Sequence, residues 1–285
     1  MRFVLVALIA LVAATPAYAG RGTALIKYLP DDTTAVIACD VAKSRGSTMF
    51  KKLFKLAREQ NTTLDSLAAN VALEKLVDTV IIGANPSKHA VVVLEGRVDK
   101  LLAEVKKTAT KSETYQGITY WVMADGDAAI IDKKLIIAAS GDIPAVIDRA
   151  KDKKAKGPSS ARSLFAATLP TSSVIGGVVF DATQRSDLNK QLGAEPQFGA
   201  FSITLTAKLA LEARIKFASE SDAATATKTM NGLLTPETRS RLEGFVGKEF
   251  SDSIAIEQQQ AFARFKATMT TDEADKIIAL VKMMM

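Results

Sequence analysis

Residues 29–41 read LPDDTTAVIACDV, and the same grammar returns at residues 169–181 as LPTSSVIGGVVFD. In both stretches a Leu-Pro pair and short polar residues lead into an apolar run that stops on an aspartate, Asp40 or Asp181. An apolar run of this length between turn residues is the pattern of a buried β-strand. Two later segments recur in the same order. Val98, Leu101, Leu102, Val105 and Ala109 have the spacing of Ala223, Ala226, Thr227, Met230 and Leu234; Ile143, Val146, Ile147 and Ala150 have that of Ala274, Ile277, Ile278 and Val281. Each set marks one face of an α-helix. Their shared order predicts an internal duplication.

Outward from residue 41, Ser44 or Ser47 is placed to cap a helix that runs to about Gln60. Leu64 to Leu73 reads as a shorter helix. Leu76 to Ala84 and Ala90 to Glu95 form a hairpin turned at Asn85-Pro86-Ser87. After the helix at Val98 to Ala109 come strands at Thr119 to Ala124, Asp127 to Asp132 and Leu135 to Ala139. Asp142 is then placed to cap the helix Ile143 to Ala150. In the second half the strand Val174 to Phe180 precedes a helical piece at Asp187 to Leu192. Strands follow at Phe198 to Thr206 and Lys208 to Phe217, then helices at Ala223 to Leu234 and Pro236 to Val246. Two last strands, Ser253 to Gln258 and Ala261 to Met269, lead to a terminal helix with a Thr270/Glu273 capping box.

The fold class that follows is α+β: two tandem copies of a β-α-β-β-α-β-β-α unit, mostly antiparallel sheets with helices packed on one face. The expected units are a leader at 1–19, repeats at 20–150 and 161–285, and a solvated linker at 151–160, KDKKAKGPSS.

The leader MRFVLVALIALVAATPAYA has one Arg, a short apolar segment and an Ala17-Tyr18-Ala19 ending, the marks of a cleaved secretory signal. The single cysteine, Cys39, lies inside an apolar strand and reads as a small buried hydrophobe. A net charge of +6 on 285 residues favours weak attraction to anionic polymers or lipid surfaces but is too even for nucleic-acid binding. Lys51, Lys52, Lys55 and Arg58 form a basic face opposite Met49, Phe50, Leu53, Phe54 and Ala57. That helix reads either as a cover for the sheet with its lysines in water or as an interfacial helix on anionic lipid.

Catalytic readings are limited by composition. With one histidine, His89, and one cysteine, a His/Cys zinc site cannot be assembled. A Ser-His-acid triad could use only His89, which sits beside a turn and reads as an exposed or lightly packed turn residue. No P-loop, Gly-x-Ser-x-Gly elbow or dinucleotide fingerprint occurs. Asp125, Asp127 and Asp132 lack the spacing of a calcium loop. Asp40 and Asp181 are either an acid-base pair across the repeats or caps at strand ends. Tyr120 and Trp121 must face opposite ways in a strand, so one is a candidate exposed contact residue. Asn61-Thr62-Thr63 is a glycosylation sequon of use only in a eukaryotic secretory pathway.

The Leu29-Pro30-Asp31-Asp32-Thr33 opening, the strand ending in Asp40, its following amphipathic helix and the later strand-helix units resemble those of uncharacterised, exported two-copy proteins of Gram-negative bacteria. The resemblance covers most of the chain after the leader and implies no catalytic residue, cofactor or substrate. The leading functional expectation is a non-enzymatic periplasmic or secreted envelope protein with a binding or structural role and an envelope protein or polymer as partner. A carrier of an apolar ligand such as a lipid and a carboxylate-dependent hydrolase are the alternatives.

Overall fold

The computed structural model describes residues 24–60, 72–86, 88–124, 126–139, 142–169, 172–206 and 208–284, with side chains except at 53, 56–60 and 278–284. The leader, the sequon, Asp125 and nearly all of the helix expected at Leu64 to Leu73 lie outside the described residues.

The two diagnostic stretches form β1 (Ala35–Asp40) and, in the second half, β8 (Val174–Val179). Between them come β2 (Val77–Asn85), β3 (His89–Gly96), β4 (Lys111–Tyr115), β5 (Ile118–Met123), β6 (Gly126–Ile131) and β7 (Lys134–Ala138). After β8 come β9 (Pro196–Leu205), β10 (Leu209–Phe217), β11 (Ala255–Gln259) and β12 (Phe262–Met269). All belong to one 12-stranded antiparallel sheet in the order β11-β12-β10-β9-β8-β1-β2-β3-β7-β6-β5-β4. β1 pairs with β8 at its centre, Val36 opposite Gly177.

The described helices are α1 (Val41–Ser44), α2 (Thr48–Gln60), α3 (Leu73–Leu76), α4 (Val98–Thr108), α5 (Ile143–Lys151), α6 (Ser159–Ala166), α7 (Ala182–Leu192), α8 (Glu220–Leu233), α9 (Pro236–Phe245), α10 (Lys248–Ser253) and α11 (Thr271–Met284), with a 3-10 turn at Ile26–Tyr28. They cover both faces of the sheet, which corrects the expectation of helices on one. On the first face Ile37 and Cys39 meet Met49 and Phe50 of α2, Val98, Leu101 and Val105 of α4 and Ala274 of α11. The same face continues under α7 and α8, where Leu192, Ala223 and Ala226 pack with Phe217 and Ala263. On the opposite face Val36, Ala38, Val91, Val93 and Ile136 meet Ile26, Tyr28, Ile143, Val146 and Ile147, with Leu164 and Phe165 of α6. The cause is in the strands. Runs such as AVIAC and AVVVL are apolar at odd and even positions alike, so a single layer of helices would leave half of each run in water.

Three local expectations are corrected. β4, KSETY, is an edge strand with four of its five residues exposed, so it carries no hydrophobic period to read. Asp142 makes no side-chain cap to α5. Pro144 presets the helical φ of the first turn, and the Asp142 carboxylate lies 3.7 Å from the His89 ring instead. The segment 151–160 is exposed along residues 151–154 but is also anchored: Lys151 Nζ donates to the Gln116 carbonyl at 2.6 Å, and the Ser160 hydroxyl donates to the Thr33 carbonyl.

Gly157 locks that segment. Its φ is +70°, and a Cβ there would lie 2.3 Å from the Ile26 carbonyl oxygen. Gly157→Ala is therefore expected to cost about 1 to 3 kcal/mol. It should also release the segment, seen as faster tryptic cleavage at the lysines between 151 and 156. Unchanged cleavage and unfolding would refute the anchoring role.

Candidate functional site: the charged face of β10, β12 and β11

On the opposite face, α5 packs on β6 and β7, and α6 packs on β8, β1 and β9. The core beneath them takes no residue from β10, β11 or β12. Strand register puts three cross-strand rows there: Ser202, Glu212 and Lys266; Ala200, Arg214, Arg264 and Glu257; Phe198, Lys216 and Phe262. The alternation in LALEARIKF creates this surface, because Glu212, Arg214 and Lys216 share one side of β10 while Leu209, Leu211, Ile215 and Phe217 point to the helix-covered side.

Glu212 is the hub. Its side chain is 8% exposed and accepts from Arg214 Nε at 2.7 Å and from Arg264 Nη2 at 2.5 Å. Burial pushes the carboxyl up, but the hydrogen bonds from Arg264 and Arg214 outweigh that and hold it below the ordinary glutamate range. The two arginines stand directly opposite each other across β10 and β12. Like charges so placed repel, and the shared carboxylate is what makes the pair tolerable. Lys266 reaches Glu257 at 2.8 Å, with Arg264 3.8 Å from the same carboxylate. Lys216 sits 4.9 Å from the centroid of the Phe262 ring, and that ring meets Phe198 edge-on at 6.2 Å. Four cations thus share one surface with two carboxylates. Such a face attracts anions; its buried carboxylate is held ionised as an acceptor and is poorly placed to shuttle protons.

The residues singled out in the sequence are dispersed. Asp40 caps α1 by accepting from Lys43 N at 3.2 Å, and Asp181 forms a capping box with Gln184 on α7, so each is occupied where its strand ends. Tyr120 and Trp121 do face opposite ways, yet both are packed, since β5 is covered on its two sides. The Tyr120 ring belongs to the opposite-face core, and its hydroxyl donates to the exposed Glu113 of β4. Trp121 packs on the first-face core with Lys106 Nζ 4.8 Å from its centroid. On α2, Met49 and Phe50 are buried and Phe50 stacks on Phe54 at 5.7 Å. Lys51 and Lys55 are exposed, and Lys52 pairs with Asp275 of α11 at 2.5 Å. The Arg58 side chain lies outside the described residues. Of the apolar side of α2, Met49, Phe50 and Phe54 pack on the first-face core. Asp127 and Asp132 sit at opposite ends of β6, about 17 Å apart along the strand. Burial of Cys39 pushes its thiol well up.

His89, expected as an exposed or lightly packed turn residue, is more enclosed than that. Its side chain is 11% exposed, with Nε2 3.0 Å from Asp32 and Nδ1 3.7 Å from Asp142. Lys88 Nζ also meets Asp32, at 2.9 Å. Both ring nitrogens face carboxylates, so neither is placed to take a proton from a hydroxyl as a triad demands. The cluster ties the start of β1, the β2–β3 hairpin and the start of α5 together. Among the described residues no three His, Cys, Asp or Glu side chains stand close enough to share a metal ion, and no helix is long and apolar enough to cross a membrane.

No family model matches the sequence, and no curated protein matches it. Among solved structures the chain is similar to three crystal forms of a protein named TP0453. Form III aligns with a TM-score of 0.53 at 10% identity over 89% of this chain and 97% of that one. Form I gives 0.51 at 11% over 90% and 96%, and form IV gives 0.52 at 10% over 90% and 95%. At such identity the likeness is one of fold: a mixed α+β architecture built on an antiparallel sheet.

Proposed function

We propose that this chain is a non-enzymatic protein of the bacterial envelope, exported by residues 1–19, that acts by binding a partner. The observation that carries the reading is the charged face of β10, β12 and β11, where Arg214, Lys216, Arg264 and Lys266 lie on sheet surface that α5 and α6 leave uncovered. The roles of Asp40 and Asp181 support the same reading, since the carboxylates a hydrolase would have used are engaged as helix caps.

The unit proposed here is a duplicated one. From the centre outward the strands run β1-β2-β3-β7-β6 in one direction and β8-β9-β10-β12-β11 in the other, so corresponding strands take corresponding places. The interval between Asp40 and Asp181 is also that between Val36 and Gly177, which stand opposite each other. A two-fold axis normal to the sheet passes through that pair. Such an axis keeps faces, and α2 and α7, like α4 and α8, do share the first face. The final helices break the symmetry, α5 lying on the opposite face and α11 on the first. The hairpin β4–β5 and the helices α9 and α10 are insertions particular to one copy.

Two measurements test the proposal. Native mass spectrometry of the protein taken from its own envelope fraction is expected to show a mature chain beginning at Gly20 with a retained partner. Recovery of intact Met1 would sink the export claim. Asp40→Ala and Asp181→Ala are each expected to lower stability by about 1 kcal/mol, the usual cost of an N-cap. In a broad hydrolase screen neither should differ from wild type. Turnover by wild type that either variant abolishes while folded would favour the hydrolase.

A further inference from the structure

We infer that the charged face of β10, β12 and β11 takes an acidic polysaccharide, an inference that rests on the proposed binding role of that face. Arg214 and Lys216 are two residues apart on one strand, and so are Arg264 and Lys266 on the next. Side chains on one side of a strand repeat roughly every 7 Å, and strands lie about 4.8 Å apart. The result is a grid of positive charge, not a single anion pocket. A polymer with a carboxylate on successive sugar rings meets several points of such a grid at once, and guanidinium groups match carboxylates in a two-pronged geometry. Glu212 already holds both arginines flat on the sheet at 19% and 21% exposure, so their side-chain entropy is largely lost before binding. Lys216 sits over the Phe262 ring and makes no ion pair with a carboxylate among the described residues. Glu257 on the edge strand competes for Lys266 and gives the face a weak internal counter-charge.

The shape of the surface selects among anions. α6 packs on β9, next to β10, and a helix stands about 10 Å across. The grid is therefore the floor beside a step. A single polymer strand can lie along that floor, whereas a planar lipid surface meets the helix first.

The test uses the full mature chain and polygalacturonate, with neutral dextran, phosphatidylglycerol-containing vesicles and a single-stranded oligonucleotide as comparisons. Binding of polygalacturonate should weaken with added salt, and Lys216→Gln with Lys266→Gln should lower affinity about tenfold and reduce the salt slope. Lys51→Gln with Lys55→Gln, an equal loss of charge on α2, should leave affinity near wild type. Glu257→Gln removes the exposed counter-charge and should tighten binding, which keeps the inference testable if the double variant folds poorly. Absence of polygalacturonate binding, equal loss in the α2 control, or vesicles or oligonucleotide bound as tightly through the same lysines would overturn it. A protein retained from the envelope with no affinity for polygalacturonate would end this inference and leave the wider binding role standing. Shortening of polygalacturonate on incubation would end the non-enzymatic reading instead.

Discussion

Gly177→Val is expected to lower the stability of the protein by about 3 kcal/mol or more, because it drives a side chain into the joint between the two halves. Gly177 sits in β8 with a strand on each side, opposite Val36 of β1 and Ala200 of β9. A Cβ added there would stand 2.4 Å from the Gly199 carbonyl oxygen and 2.8 Å from Leu164 Cδ2 of α6. The first neighbour is backbone in a paired strand and cannot rotate away. The second is a fully buried side chain in the core that α6 closes. Overpacking of a well-packed site costs about 1 to 3 kcal/mol, with larger values when backbone must move. Here both the sheet and the helix on it must shift, which places the cost at the top of that range. Gly232→Ala in α8 is the matched control: an added Cβ meets nothing within 4 Å, so stability should rise by about 0.5 kcal/mol. Urea unfolding of the two variants beside wild type decides the matter. A Gly177→Val midpoint equal to wild type would mean that β8 and α6 do not meet as described.

The sequence was most legible where local chemistry and tertiary packing agree. The hairpin of β2 and β3 and the helices α4, α5 and α8 carry a period that their burial uses, and the strand at Ala35–Asp40 carries an unbroken apolar run that is buried on both faces. The Thr270/Glu273 box is present, with Thr270 N donating to Glu273 at 2.9 Å and Glu273 N to Thr270 Oγ1 at 3.2 Å. What remained hidden depends on pairing between distant segments. A run such as AVIAC, apolar throughout, states that it is buried on both faces without stating which helices do the burying. For that reason the sequence reading expects helices on one face and misses the second layer formed by α5, α6 and the 3-10 turn. β4 hid because an edge strand in water needs no apolar alternation. The charged face hid for a subtler reason: the alternation in LALEARIKF was plain, but only the register of β10 against β12 brings Arg214 and Arg264 onto one carboxylate. His89 likewise gains its aspartates from residues 32 and 142, far away in the chain.

Glu212→Gln should be the most informative single change on the charged face, costing about 3 kcal/mol at neutral pH. The substitution keeps the volume and removes the charge, leaving Arg214 and Arg264 opposite each other without the anion that holds them. Breaking a buried ion pair by taking away one partner costs about 3 to 5 kcal/mol. The lower end applies because each arginine side chain keeps about a fifth of its exposure and water partly solvates it. The pH dependence follows from the direction of the carboxyl's shift. Its folded value lies below the ordinary glutamate value, about 4.3 in an unfolded chain. The stabilisation it supplies is therefore fully present above that unfolded value and is lost as pH falls through the folded one. Wild type and Glu212→Gln should differ by a constant amount from pH 7 down to about pH 5 and converge at lower pH, once Glu212 is protonated in both states of the wild-type chain. Other carboxylates held low, such as Asp132 beside Tyr28 and Lys27, titrate in both proteins alike and cancel in the difference. Unfolding midpoints measured across that range give the difference curve directly. A gap that stays constant down to pH 3, or no gap at pH 7, would mean that Glu212 is not the carboxylate on which the two arginines depend.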